Sequence, residues 1–157
     1  MTNLAVFVRY VVEDNHPALI RKRILKKAHT NTLKAIVKRR YDEFESVHIK
    51  SKMYGSFRKH YGIPGLERDS TRKFMLRVLC VGAVTTKQNG DRYYYYNDIM
   101  VAVNKDNEVI SYGRIKRKYG WTRPHKIIQL AENLIGIDND LHKQKAEIRA
   151  SLKINNN

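Results

Sequence analysis

Acidic residues are scarce in this chain. Only 15 Asp or Glu stand against 31 Lys or Arg, a formal net charge of +16. Positions 21–40 hold nine Lys or Arg and no acid at all. So large a charge repels itself in a compact state. It points to a polyanionic partner, of which nucleic acid is the commonest. Cysteine is nearly absent too: Cys80 stands alone. That excludes an internal disulfide and a cysteine-based zinc site. Cys80 lies in an apolar run and reads as a small buried hydrophobe. The six His show no His-x-x-x-His spacing, which argues against zinc. No apolar run approaches the ~20 residues that span a bilayer. The start, Met-Thr-Asn-Leu-Ala-Val-Phe-Val-Arg-Tyr-Val-Val, lacks the basic segment and cleavage site of a signal peptide. A membrane-surface helix would need a wide apolar face or a lipidation motif, and neither is visible. The expectation is an intracellular protein with no membrane partner, no metal and no cofactor.

What remains is enough for one ordinary domain: 157 residues, of which 42% are hydrophobic. Residues 4–12 are almost all β-branched, aromatic or otherwise apolar, as in a buried strand. Asp14-Asn15-His16-Pro17 reads as a helix start. Helices are expected over 18–29, over 31 or 32 to 46, and over 48–60. Gly62-Ile63-Pro64-Gly65 breaks that pattern, and Asp69 or Ser70 is placed to cap a short helix to Leu79. The period then changes. Residues 81–86 look extended, Asn89-Gly90 is a hairpin signal, 91–104 is strand-like, and 105–107 is a turn into a strand over 108–116. Pro124 opens a final helical region, broken near Gly136 and resumed to Leu152. Residues 155–157 are expected to fray. The fold class is therefore α+β: an N-terminal strand and basic helices on an antiparallel meander over about 81–117, with C-terminal helices. One domain over 1–154 is expected.

Aromatic rings sit among the cations. Residues 112–126 carry six Lys or Arg, no acid, two Tyr and Trp121. Cations suit phosphates and flat rings suit bases, the combination found in single-stranded nucleic-acid grooves. A cruder copy runs from Tyr54 to Gly62. Both read Tyr-Gly, any residue, an apolar residue, two basic residues, any residue, Tyr-Gly. Chance in a Tyr- and Lys-rich chain explains the echo equally well. Tyr93 to Tyr96 span both faces of a strand, so two rings are expected in the core and two on the other face.

Metal-dependent nuclease chemistry needs clustered carboxylates. Asp98 and Glu108 are the nearest pair, and Glu108 is followed by Val109 and Ile110 rather than by a spaced lysine. Both read as turn-flanking charges. Metal-independent RNA cleavage needs a base for the 2′-hydroxyl proton, an acid for the leaving oxygen, and cations for the crowded phosphorane. His48, Lys52, Arg58, His60 and Tyr61 lie on or beside one expected helix. His48 and Lys52 are four apart and would share its face. Ser111, Tyr112 and Arg114 fall at the end of the last strand. Taken singly, each fits an ordinary surface residue.

Residues 46–117 resemble, in the order of their elements, the compact ribonucleases that include RelE-like toxins, colicin-type RNases and barnase. The matching pieces are His48-Ile-Lys-Ser-Lys-Met53, Arg58-Lys-His-Tyr-Gly-Ile63, Ser70 to Leu79, and Arg92 to Ser111. The segment Pro64 to Asp69 is an insertion, and the first 45 residues and the C-terminal helices are extra. The resemblance implies His48 as acid or base, Arg58, Arg114 and Lys116 on the phosphate, and Ser111 or Tyr112 lining the cleft.

Two functions follow. One is a metal-independent endoribonuclease acting on single-stranded RNA, with His48, Arg58, His60, Tyr61 and Ser111 as the catalytic set. Lys52, Tyr112, Arg114, Lys116, Arg117, Lys118, Trp121, Arg123 and Lys126 would hold the strand. The other is a non-catalytic DNA- or RNA-binding protein gripping the phosphate backbone. It would use residues 55–79 as a helix-turn-helix, or the sheet over 91–117 backed by the helix over 124–135. A structural role on RNA is a third, lesser reading.

Overall fold

The computed structural model describes residues 17–115 and 124–155. The strand expected at 4–12, the end of the chain, and Lys116, Arg117, Lys118, Trp121 and Arg123 lie outside the described residues. The chain divides into two compact units, Met1–Ile36 and Val37–Asn157. The described part of the first unit is helical from Pro17 onward, with Leu25, Lys27 and His29 exposed.

That helix, α1, runs unbroken over Pro17–Phe44, where the sequence suggested two helices parted near Asn31. The polar stretch did not need to act as a cap. Thr32 Oγ1 donates back to the Ala28 carbonyl at 3.1 Å, so its hydroxyl is satisfied inside the helix.

The second unit is α+β. After the last turns of α1 come α2 (Ser51–Tyr61), α3 (Arg68–Val81), strands β1 (Ala83–Thr86), β2 (Arg92–Tyr96), β3 (Ile99–Val103) and β4 (Val109–Arg114), then α4 (His125–Ile135) and α5 (Asn139–Asn155). The strands form one antiparallel sheet in the order β1-β2-β3-β4, the meander expected from the sequence.

Its hairpins differ in detail. Asn89-Gly90 does mark the first, but the loop is longer than two residues: Lys87 N–H pairs with the Asp91 carbonyl at 2.8 Å, and Gly90 takes φ +91°. The segment read as one strand over 91–104 is two, turning at Asn97-Asp98 with Asn97 at φ +52°. Asn, whose short side chain tolerates the left-handed region, is the signal there.

Pairing sets the faces. Tyr94, Val101 and Tyr112 are partners across three strands, as are Tyr96, Ile99 and Arg114. This face receives the helices, α3 against β2 and β3 and α2 against β4. Tyr94 is buried and Tyr96 half-buried on it, while Tyr93 and Tyr95 point to the other face.

Helix α3 forms the centre. Every residue from Phe74 to Val81 is buried. Its Phe74, Met75 and Leu79 join Phe44, Phe57, Ile63 and Leu66 in the core, each at 1% exposure or less. Each such side chain stabilises the fold by about 1.5–3 kcal/mol relative to exposure. The helix begins without the Asp69 or Ser70 cap that the sequence suggested. Glu67 precedes it in extended backbone with no side-chain cap, and its carbonyl takes both the Thr71 N–H (2.9 Å) and Thr71 Oγ1 (2.7 Å). It ends at Gly82, where a Cβ would lie 2.5 Å from the Val78 carbonyl and 3.0 Å from that of Tyr95. Only glycine lets the helix end approach β2 so closely. Arg40 Nη1 donates to the Gly82 carbonyl at 2.6 Å and closes that junction.

Candidate functional site

Helix α2 carries Tyr54, Phe57 and Tyr61 along one face, at spacings of three and four. Tyr54 and Phe57 are buried and Tyr61 is half-buried. Gly62 ends the helix in the left-handed region at φ +77°, its N–H directed at the Arg58 and Lys59 carbonyls. Arg58 clamps the same turn. Its Nε donates to the Tyr54 carbonyl at 3.2 Å and its Nη1 to the Leu66 carbonyl. Tyr61 is thereby fixed at the end of α2.

Three cations converge on it. Arg77 Nη2 donates to the Tyr61 hydroxyl at 3.0 Å, Lys145 Nζ reaches the same oxygen at 3.5 Å, and Arg149 Nη2 donates to the Tyr61 carbonyl at 2.8 Å. Lys145 and Arg149 also lie over the ring, 5.1 and 4.9 Å from its centroid. They are four apart on α5, so one helix face presents both. Asp138 starts that helix, its Oδ1 accepting the Leu141 N–H at 2.9 Å.

Arg77 is almost wholly buried, at 5% exposure. Its Nη1 faces Glu132 of α4 at 3.4 Å, and its guanidinium stacks over Phe74 and Tyr96. Among the described residues its Nε has no hydrogen-bond partner. An open buried donor costs about 1–3 kcal/mol. Glu132 is held in turn by a short contact with His142 Nε2.

Tyr61, Arg77, Tyr96, Lys145 and Arg149 line a cleft of about 490 Å³. Among the described residues five cationic side chains border it, Arg77, Arg114, Lys145, Arg149 and Lys153, against one acid, Asp98. Asp98 pairs with the exposed Arg114 at 3.1 Å and Glu132 with Arg77, which leaves Lys145, Arg149 and Lys153 in excess on the cleft wall. Burial pushes the Tyr61 phenol up, but Arg77, Lys145 and Arg149 outweigh it and leave the phenol below its ordinary 10.0. Burial pulls the Lys145 ammonium below its usual value, Tyr61 opposes, and Arg77 and Arg149 add to the fall. Like charges kept together this way favour whatever negative charge enters between them.

Of the residues singled out from the sequence, Tyr61 and Arg114 meet in this cleft. The others that the structure describes lie elsewhere. His48 does not begin α2. It precedes the helix in extended backbone, its N–H on the Asn107 carbonyl at 3.1 Å and its carbonyl on the Val109 N–H at 2.9 Å. It therefore shares no helical face with Lys52, which is exposed on α2. Arg58 is engaged by two carbonyls rather than facing a phosphate. His60 is exposed, with Nδ1 on the Ser56 carbonyl at 2.8 Å. Its ring lies 5.4 Å from that of Tyr112, which also packs edge-on against Phe57 at 6.0 Å. The two Tyr-Gly segments thus touch ring to ring where both are described, leaving no groove between those rings. Ser111 pairs with Ala102 and points to the face opposite Tyr112, so the two cannot line one cleft. Lys126 is exposed on the first turn of α4. The buried part of α3 leaves no free recognition face for a helix-turn-helix over 55–79.

The sequence reading missed Arg77, Lys145 and Arg149. Arg77 had a signal: a lone cation inside the apolar run Phe74 to Val81. Lys145 and Arg149 had only helical spacing, which any basic helix shares.

No family model matches the chain, and no curated protein or solved structure matches it either. Among the described residues no helix is long and apolar enough to cross a membrane, and no three His, Cys, Asp or Glu are grouped to hold a metal ion.

Proposed function

We propose that the Tyr61 cleft binds the phosphate backbone of single-stranded RNA and cleaves it without a metal. The observation that carries this reading is a phenol lowered by three cations in a cleft with cations in excess. A lowered phenol supplies a base: the Tyr61 oxygen takes the 2′-hydroxyl proton, and the 2′-oxygen attacks phosphorus. The bond from phosphorus to the 5′-oxygen breaks, and that oxygen takes a proton from Lys153 at the rim or from water. A 2′,3′-cyclic phosphate and a 5′-hydroxyl remain. Arg77 and Arg149 stabilise the charge that builds on the phosphorane. The resemblance of residues 46–117 to compact ribonucleases supports the same chemistry, with Tyr61 in the role that it would give to His48.

Purified protein incubated with single-stranded RNA in EDTA tests this. The expected result is fragments ending in cyclic phosphate, lost in Tyr61→Phe. Intact RNA across substrates, or a Tyr61→Phe variant as active as the parent, overturns it. One observation favours the second reading, backbone binding without chemistry: among the described residues no imidazole lines the cleft. Salt-sensitive binding with intact RNA is its signature.

A further inference from the structure

A second cleft, of about 660 Å³, adjoins the first. Tyr96 lines both, and the Arg77–Glu132 pair at 3.4 Å joins the wall of one to the wall of the other. Their chemistry is opposite. Among the described residues the second is lined by no Lys or Arg; Glu132 and Asp138 are its charged side chains, with His125 and His142 beside them. A phosphate would be repelled there, while a neutral polar group would not.

The polar groups that remain suit a flat heterocycle. Gln129 and Asn133 both line the cleft and are exposed. They are four apart on α4 and so share a face. Each amide offers two donors beside an acceptor, the pattern needed to read the edge of a base. Tyr96 and the exposed His125 supply rings for stacking. Glu132 is already held by Arg77 and His142, and of the three amides that line the cleft, Gln129, Asn133 and Asn139, the first two stand together on α4 as the reading groups.

We infer that this cleft is a nucleobase subsite, holding the base of the nucleotide whose phosphate sits beside Tyr61. The inference rests on the phosphate reading above and extends it from backbone binding to base selection.

Titration of the full chain with the four ribonucleoside 5′-monophosphates, the four nucleosides and ribose 5-phosphate, followed by calorimetry, tests it. At least one nucleotide is expected to bind about fivefold or more tighter than ribose 5-phosphate, the worth of one or two hydrogen bonds. The Gln129→Ala/Asn133→Ala double variant should erase that difference and leave ribose 5-phosphate binding unchanged. Both positions are exposed on a helix where alanine is favoured, so the variant should fold. Arg149→Ala should weaken nucleotides and ribose 5-phosphate alike. Equal affinities in the parent, or a nucleotide preference that survives the double variant, overturn the subsite. If ribose 5-phosphate fails to bind, or Arg149→Ala changes nothing, the phosphate reading fails instead. The nucleosides then decide alone: one that binds the parent and not the double variant upholds the subsite, and no such nucleoside removes it.

Discussion

The Arg77 guanidinium donates to the Tyr61 hydroxyl at 3.0 Å while its other terminal nitrogen faces Glu132 at 3.4 Å. A buried cation thus joins an acid on α4 to a phenol at the end of α2. Lys145 reaches the same phenol from α5. Two cations thus share the Tyr61 hydroxyl as acceptor, and it matters to the fold as well as to the cleft.

Tyr61→Phe keeps the ring and its stacking on Phe57 but removes that acceptor. Stability should fall by about 1–3 kcal/mol, the cost of leaving a buried donor open. Urea unfolding of the two proteins measures it. An unchanged midpoint would show that Arg77 and Lys145 lose nothing with the hydroxyl.

Arg77→Met should be worse. It leaves Glu132, whose side chain is 14% exposed, without its cation. Breaking such a pair from one side costs about 3–5 kcal/mol, whereas replacing both partners costs much less. Glu132→Gln added to Arg77→Met should therefore restore part of the stability. A double-mutant cycle by urea denaturation gives the coupling. Strict additivity would mean that the contact at 3.4 Å carries no energy.

The meander was legible because β-branched and aromatic runs and turn residues act locally. Asn89-Gly90 and Lys105 to Asn107 marked two reversals, and Pro124 and Gly136 punctuated the last helices. Asn97-Asp98 was missed because four tyrosines before it and five apolar residues after it favour extended chain on both sides. The false break in α1 came from Thr32, whose hydroxyl fits a cap or an i−4 carbonyl equally well. The cleft was mostly illegible. Tyr61, Arg77, Lys145 and Arg149 come from three helices, and only tertiary packing brings them together. Their residue types are common in a chain with 31 Lys or Arg, so spacing could not single them out.

Gly82→Ala should destabilise without touching the cleft. The added Cβ would fall 2.5 Å from one backbone carbonyl and 3.0 Å from another, neither of which can swing aside as a side chain would. Overpacking of this kind costs about 1–3 kcal/mol. Thermal or urea unfolding should show the loss while the titration of Tyr61 stays as in the parent. Equal stability would mean that the end of α3 and β2 separate easily.

Cys80 should be inert in the native protein. Burial pushes its thiol up from 9.0 to about 12, with Arg40 opposing only in part. A thiol reagent should react with it only on unfolding, at a rate set by opening. The raised value also predicts a pH effect. Above pH 9 the unfolded chain ionises this thiol and the folded one does not, so Cys80 lowers stability as pH climbs from 9 toward 12. Cys80→Ala should lose that part of the alkaline decline. Rapid modification of folded protein would contradict the burial.

Tyr61 acts in the opposite direction. Its folded phenol lies below 10.0, because Arg77, Lys145 and Arg149 outweigh the upward push of burial. The folded state therefore prefers the phenolate. The stability this gives is fully present above the unfolded value near 10.0 and is lost as pH falls through the folded one. The stability gap between the parent and Tyr61→Phe should accordingly widen as pH rises toward 10. In the proposed cleavage of RNA the same ionisation should set an alkaline limb in the rate, with a midpoint below 10.0. Phenolate absorbance should show an early titration in the parent that is missing from Tyr61→Phe. High salt should move that midpoint back up by screening the three cations. A Tyr61 that titrates at or above 10.0 would mean that burial wins, and the cleft would then lack its base.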